Sequence, residues 1–208
     1  MAGNGRRVGR DVKLSKSLSW LLRHGAEKEG LHFSPGGFLY VEDILNKPQF
    51  KSFTESDIRQ VVETNDKKRF ALQTNDEGKL QIRANQGHTL QVDDLELTPV
   101  TSATVYPIVI HGTNMTAWNS IKTQGLSRMR RTHIHFATGE PGDSGVISGM
   151  RSSCDVLIYL NLDKILQDNV PVFISANGVI LSPGDQQGII QPVYFKQVIN
   201  RRTREVIQ

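Results

Sequence analysis

The stretch Gln91-Val92-Asp93-Asp94-Leu95-Glu96-Leu97-Thr98-Pro99-Val100-Thr101-Ser102 separates two patterns. It mixes acids with Pro99 and threonines, the composition of a boundary between domains. Before it the apolar residues recur at helical spacing; after it short β-rich runs dominate. The sequence therefore predicts an α+β protein of two lobes, residues 14–100 and 101–208, preceded by a disordered basic tail over residues 1–13.

Working back from the boundary, Leu14, Leu18, Leu21 and Leu22 stand at i, i+4, i+7 and i+8, one face of an amphipathic helix. Gly25 suits the C′ position, which puts Arg23 and His24 on the last turn. Residues 38–41 read as a short strand and residues 41–45 as a short helix that Pro48 stops. Thr54 followed by Asp57 resembles a capping box, starting a helix to about Thr64 with Ile58, Val61 and Val62 inward. Residues 69–74, the turn Asn75-Asp76-Glu77-Gly78 and residues 79–84 form a hairpin. Small helices followed by a hairpin make the first lobe winged-helix-like. The Gly- and Arg-rich start has no apolar h-region, so it reads as a tail rather than a signal peptide.

Working forward, residues 105–111 are β-rich, residues 116–122 form a short helix ended by Gly125, and residues 133–137 alternate as a strand. Residues 156–162, 170–175 and 179–181 are further strands, the last two separated by Ala176-Asn177-Gly178. A glycine-rich loop spans residues 139–149.

Composition excludes several classes. With 208 residues, 38% hydrophobic and 22% charged, the chain is neither wholly disordered nor a membrane protein. No apolar run approaches the roughly 20 residues of a spanning helix. A single cysteine, Cys154, excludes an internal disulfide and a cysteine-built metal site. It fits a reducing compartment, cytoplasm or nucleus. The net charge of +4 and a pI near 9.3 are compatible with a polyanionic partner. A monomer is expected.

Each candidate motif has a plain reading beside its functional one. Arg23-His24-Gly25 at a helix C-terminus complements the helix dipole, and Arg69 in Lys67-Lys68-Arg69-Phe70 can be a solvated edge. Arg83-Ala84-Asn85-Gln86-Gly87-His88 resembles an anion-holding turn, although a solvated turn accounts for it equally well. His111-Gly112-Thr113 follows a buried-looking strand, where glycine lets a flat ligand approach the backbone. In Arg131-Thr132-His133-Ile134-His135 the two histidines share a face. A zinc reading lacks third and fourth ligands at convincing spacing, so no metal site is assigned.

Taken in order, these segments carry more. Leu21-Leu22-Arg23-His24, Lys68-Arg69-Phe70, Arg83 to His88, His111-Gly112-Thr113, Arg131 to His135, Gly145-Val146-Ile147-Ser148-Gly149-Met150-Arg151 and Asn177-Gly178-Val179-Ile180-Leu181 together resemble the RNA 2′-phosphotransferase family of tRNA splicing. The resemblance implies a winged-helix lobe for RNA and an ADP-ribosyltransferase-like lobe for NAD⁺. It implies transfer of the splice-junction 2′-phosphate of tRNA or another RNA to NAD⁺. The products are 2′-hydroxyl RNA, nicotinamide and ADP-ribose 1″,2″-cyclic phosphate, formed through an ADP-ribosylated RNA phosphate. Arg23, His24, Arg69 and Arg131 become the reactive set. His111, Gly112, Thr113, His133, His135, Arg151, Asn177 and Val179 become the NAD⁺ contacts, with a hydrophobic Val179 suiting an anionic nucleophile. Lys68, Arg83, Asn85, Gln86 and His88 become RNA or phosphate contacts. Two alternatives stay open: an ADP-ribosyltransferase acting on terminal phosphates of RNA or DNA, and a non-catalytic RNA-binding module.

Overall fold

A computed structural model of the chain describes residues 3–147, 150 and 153–208. Among these residues the fold is mixed α/β, with five α-helices and several small antiparallel sheets. The chain packs as two units that divide between Glu96 and Leu97. No helix among the described residues is long and apolar enough to cross a membrane.

The first unit is built on α1 (Gly3–Trp20), followed by a π-helical turn (Leu21–Gly25) and a 3-10 turn (Glu27–Glu29). Then come β1 (Leu39–Tyr40), α2 (Val41–Leu45), α3 (Glu55–Glu63), β2 (Phe70–Thr74) and β3 (Leu80–Ala84). The strands form one antiparallel sheet in the order β1-β3-β2. Leu14, Leu18, Leu21 and Leu22 are all fully buried and pack with Ile44, Phe50, Ile58 and Ile82. Each such side chain contributes about 1.5–3 kcal/mol through burial. Thr54 and Asp57 form the reciprocal capping box that their spacing predicts.

Two expectations are corrected here. Residues from Gly3 onward are helical, where the sequence reading places a disordered tail up to residue 13. The reason lies in Arg10, which pairs with Asp57 at 2.6 and 3.0 Å and lies 4.9 Å from the centre of the Phe53 ring. Gly25 is the second. It is not a left-handed C′ residue, since the residue after it still has φ of −53° and the left-handed cap comes at Gly30, with φ of 68°. Glycine stands at position 25 because the Trp20 indole covers it; a Cβ there would sit 2.5 Å from a ring carbon.

The second unit contains β4 (Leu97–Pro99), β5 (Ile110–Thr113), α4 (Met115–Gln124), β6 (Leu126–Ser127), β7 (Ile134–Phe136) and β8 (Val156–Leu160). It continues with α5 (Leu162–Gln167), β9 (Phe173–Ser175), β10 (Ile180–Ser182), β11 (Ile189–Ile190) and β12 (Phe195–Asn200). One antiparallel sheet has the order β4-β9-β10-β7, a second β12-β8-β5, and β11 pairs with β6. Ile110 and Ala137 exchange two backbone hydrogen bonds of 2.9 Å, tying the start of β5 to the end of β7. Val156, Ile158, Ile180 and Val198 are fully buried between these sheets.

Here too the boundaries differ from the sequence pattern. The strand expected over residues 105–111 begins only at Ile110, because Tyr106 N–H closes a turn onto Ala103. Leu162, expected as the end of a strand, starts α5, whose first turn is capped by the Asn161 side chain accepting from Lys164 N–H at 3.1 Å. The end of the boundary stretch is itself β4, an edge strand, the one place in a sheet that tolerates Pro99.

Candidate functional site

In the second unit, β5, β7 and the residue before β10 surround a cavity of about 290 Å³, near the lower end of the roughly 300–1,000 Å³ typical of ligand sites. His111, Gly112 and Thr113 line it from β5, His135 and Phe136 from β7, and Val179 from the turn that enters β10. Arg131 lines it as well. Strand register explains the convergence. His135 pairs directly with Leu181, which puts Val179 two residues along the same partner strand.

The His111 ring is oriented by its own hydrogen bond, Nδ1 lying 3.0 Å from the His135 carbonyl oxygen. A carbonyl can only accept, so Nδ1 carries the proton and Nε2 is bare in the neutral ring. Burial lowers the His111 pKa, and the nearby Arg131 charge adds to this against the opposing bond to His135. The neutral ring is therefore the form present near pH 7, with Nε2 an acceptor. Gly112 has no room for a side chain: a Cβ would lie 2.4 Å from Met150 Sδ and 3.1 Å from Cys154 Sγ.

Two expected members do not line this cavity. Asn177 is buried and accepts from Ser175 Oγ at 2.8 Å, while Val179 N–H donates to the same Oγ at 3.2 Å, so Asn177 braces the turn that carries Val179. His133 is half-buried, its ring edge-on to Phe173 at 6.2 Å, and burial first and Arg128 second lower its pKa. Arg151 lies outside the described residues.

The first unit holds a larger, more open pocket of about 1,020 Å³ lined by both Arg23 and Arg69. Arg23 lies in the π-helical turn, a departure from α geometry that is often found at functional sites. Its neighbour His24 has Nδ1 3.0 Å from Thr89 Oγ1, and Thr89 N–H donates to the Arg23 carbonyl at 3.0 Å. Arg69 is held by Asn65, whose Oδ1 accepts from the Arg69 backbone N–H at 3.0 Å and from Nη1 at 3.4 Å. Lys68 is exposed, with φ of 42°.

The segment from Arg83 to His88 is not a solvated turn. Arg83, Asn85, Gln86 and His88 are all buried. Arg83 pairs with Glu96 and covers the Phe38 ring at 4.8 Å. Asn85 donates from Nδ2 to the Lys68 carbonyl at 2.7 Å, and its backbone N–H to the Arg69 carbonyl at 2.9 Å. Gly87, with φ of 86°, lies against Arg23, where a Cβ would be 3.4 Å from Nε. This segment is the support beneath Arg23 and Arg69.

Sequence reasoning missed several lining residues. Ser15 and Ser19 precede Arg23 by steps of four along the flank of the leucine face, with Lys16 beside them, and that spacing is a readable signal. Met150, Ser153 and Cys154 in the second unit's cavity carry no such signal, since they come from a connection and not a periodic element. Among the described residues, no group of three or more His, Cys, Asp or Glu comes together as a metal-holding set.

A family model described as RNA 2′-phosphotransferase, Tpt1 / KptA family, matches residues 9–184. The chain is 52% identical over 198 residues to the tRNA 2′-phosphotransferase 1 of Danio rerio, covering 94% of this chain and 88% of that protein. It is 50% identical over 199 residues to the tRNA 2′-phosphotransferase 1 of Homo sapiens, covering 95% and 79%. With the tRNA 2′-phosphotransferase of Saccharomyces cerevisiae it shares 38% identity over 195 residues, covering 90% and 85%.

Proposed function

The chain belongs to the RNA 2′-phosphotransferase family, and from that premise we propose that it moves the splice-junction 2′-phosphate of tRNA onto NAD⁺. In this reading the first unit is the winged-helix lobe and takes the RNA, and the second is an ADP-ribosyltransferase-like lobe and takes NAD⁺ as a co-substrate. The observation that carries the NAD⁺ assignment is that His111, His135 and Val179, from three separate elements, line one cavity together with Arg131. The cavity fits the group: Gly112 leaves room for Met150 and Cys154 in the wall, and the bare Nε2 of His111 accepts from a ribose hydroxyl.

The chemistry follows from charge. An oxygen of the 2′-phosphate bonds to C1″ of the nicotinamide ribose, and the bond to nicotinamide breaks with its electron pair leaving on the ring nitrogen. That nucleophile is already ionised, so this step needs positioning, not a general base. Val179 at the cavity wall places no carboxylate against the incoming anion. The ribose O2″ then attacks phosphorus as its proton passes to a water molecule. The bond from phosphorus to the RNA 2′-oxygen breaks, and that oxygen is protonated as it leaves. Charge grows on the phosphoryl oxygens here, where Arg23, Arg69 and Arg131 act as guanidinium donors. His24 binds the same phosphate and supplies the proton to the departing oxygen. Lys68 adds a further positive charge toward the RNA.

The test supplies an oligoribonucleotide bearing one internal 2′-phosphate with NAD⁺ and follows phosphate and nicotinamide together. Release of both, leaving a 2′-hydroxyl, supports the proposal. ADP-ribose retained on the RNA as the end product would instead mark an ADP-ribosyltransferase, and no nicotinamide release an RNA-binding module.

A further inference from the structure

Between Glu96 and Glu140 the chain contains no acidic residue. Toward the end of that stretch, the turn after β6 carries Arg128, Arg130 and Arg131, with Met129 between them. Met129 is 81% exposed, the most exposed large apolar side chain among the described residues, so it has no part in the core. Its φ is 55°, in the left-handed region that disfavours a residue with a side chain.

The turn is nevertheless held in place. Met129 N–H donates to Ser127 Oγ at 3.0 Å, and Arg131 N–H to the Arg128 carbonyl at 3.0 Å. Arg128 anchors it to the next segment through a backbone N–H bond of 2.9 Å to the Gly188 carbonyl. Its guanidinium donates to the Arg131 carbonyl at 3.0 Å, and its side chain packs on Gly188, where a Cβ would lie 2.5 Å from Nε. Arg128 thus serves as a brace, which leaves Arg130 and Arg131 as the exposed cations that follow the methionine, with Arg131 also lining the cavity.

A rigid, strained turn that presents one polarisable apolar group among cations matches a nucleotide, which offers a flat ring next to a negative charge. We propose that Met129 and Arg130 form a platform for the RNA strand. The Met129 thioether lies against the face of a nucleobase neighbouring the phosphorylated ribose, and Arg130 pairs with the adjacent backbone phosphate. This rests on the 2′-phosphotransferase reading and extends it from the reacting phosphate to the flanking nucleotides.

Met129→Gly tests it, because glycine removes the side chain yet suits a φ of 55°. Two substrates are compared, a 2′-phosphorylated oligoribonucleotide and a 2′-phosphorylated mononucleoside with no neighbouring bases. The variant should raise KM for the oligonucleotide by roughly fivefold, within the range of base-stacking losses. The advantage of the oligonucleotide over the mononucleoside should shrink by the same factor. Met129→Leu should restore most of the loss, and Arg130→Ala should lower the salt dependence of RNA binding by about one charge. An oligonucleotide KM that does not move overturns the platform, as does an equal loss with both substrates. A rise in KM for NAD⁺ alone also overturns it, since the ring in contact would then be the adenine of the dinucleotide. Failure of the wild-type protein to release nicotinamide with either substrate would strike the reading beneath, a different result from any of these.

Discussion

The two units solve opposite electrostatic problems. The pocket of the first is wide and open, about 1,020 Å³, and its functional groups are guanidiniums left half-exposed. The cavity of the second is about 290 Å³, with His111 driven toward neutrality by burial beside Val179 and Phe136. A phosphate is held best by cations that keep their charge, and burying them would cost more than the pairing returns. A ribose and its attached ring are held by shape and by neutral acceptors, which burial supports. One protein can therefore present both environments only by giving each its own core.

The sharpest way to break this division is Arg69→Ala. Loss of one guanidinium should slow the second chemical step by about 10³-fold or more while KM for NAD⁺ changes little. ADP-ribosylated RNA should then accumulate in a gel assay; equal loss of both steps with no adduct would sink the assignment. Next in size is Gly112→Ala, which forces Met150 and Cys154 aside. Overpacking of about 1–3 kcal/mol corresponds to roughly a 5-fold to 150-fold rise in KM for NAD⁺. RNA binding, measured by fluorescence anisotropy, should be retained. Gly25→Ala makes the matching clash in the first unit, but Trp20 is 43% exposed and can yield. Its cost should be about 1 kcal/mol in thermal unfolding, with RNA affinity and not NAD⁺ affinity reduced.

Acid should separate the units further. The pKa values of His111 and His133 are lowered, so the folded second unit binds fewer protons than its unfolded chain. Its stability is complete above the ordinary histidine value of 6.5 and falls as pH drops through the lowered values. In the first unit, burial raises the Asp57 pKa but hydrogen bonds from Arg10 and Thr54 outweigh it, so the net shift is downward from 3.8. That contribution is present above 3.8 and is lost only as pH falls further. Hydrogen exchange resolved by segment should therefore show the second unit loosening as pH falls below about 6.5; unchanged protection down to about pH 4.5 would contradict the burial of its histidines. The smallest effect belongs to Arg10→Ala. Its ion pair with Asp57 is partly exposed and screened, so about 0.2–1 kcal/mol should be lost from the first unit.

The readability of the sequence followed the same division. Leu14 to Leu22, the Thr54 capping box and the hairpin turn at Asn75 are local patterns, and each produced the element it predicts. The start of α1 was not legible, because Arg10 is ordered by a partner 47 residues away. In the second unit the strands were legible but the cavity was assembled by long-range pairing. His111 and His135 were marked by motif, whereas Met150 and Cys154 reach the same space from a stretch without periodicity. The burial of Arg83 and Asn85 was hidden for the opposite reason, since polar residues at the end of a strand read as solvated until their partners Glu96 and Lys68 are placed.

The π-helical turn at Leu21–Gly25 holds one residue more than an α-turn, and the Arg23 carbonyl is taken up by Thr89 N–H. Excising a single residue there would give a more regular helix by every local measure. It would also re-register the residues within the turn, so that Arg23 would no longer lie against Gly87 and Thr89 N–H would lose its acceptor. In this stretch, helical perfection and competence are competing ends, and the chain has kept the irregular one.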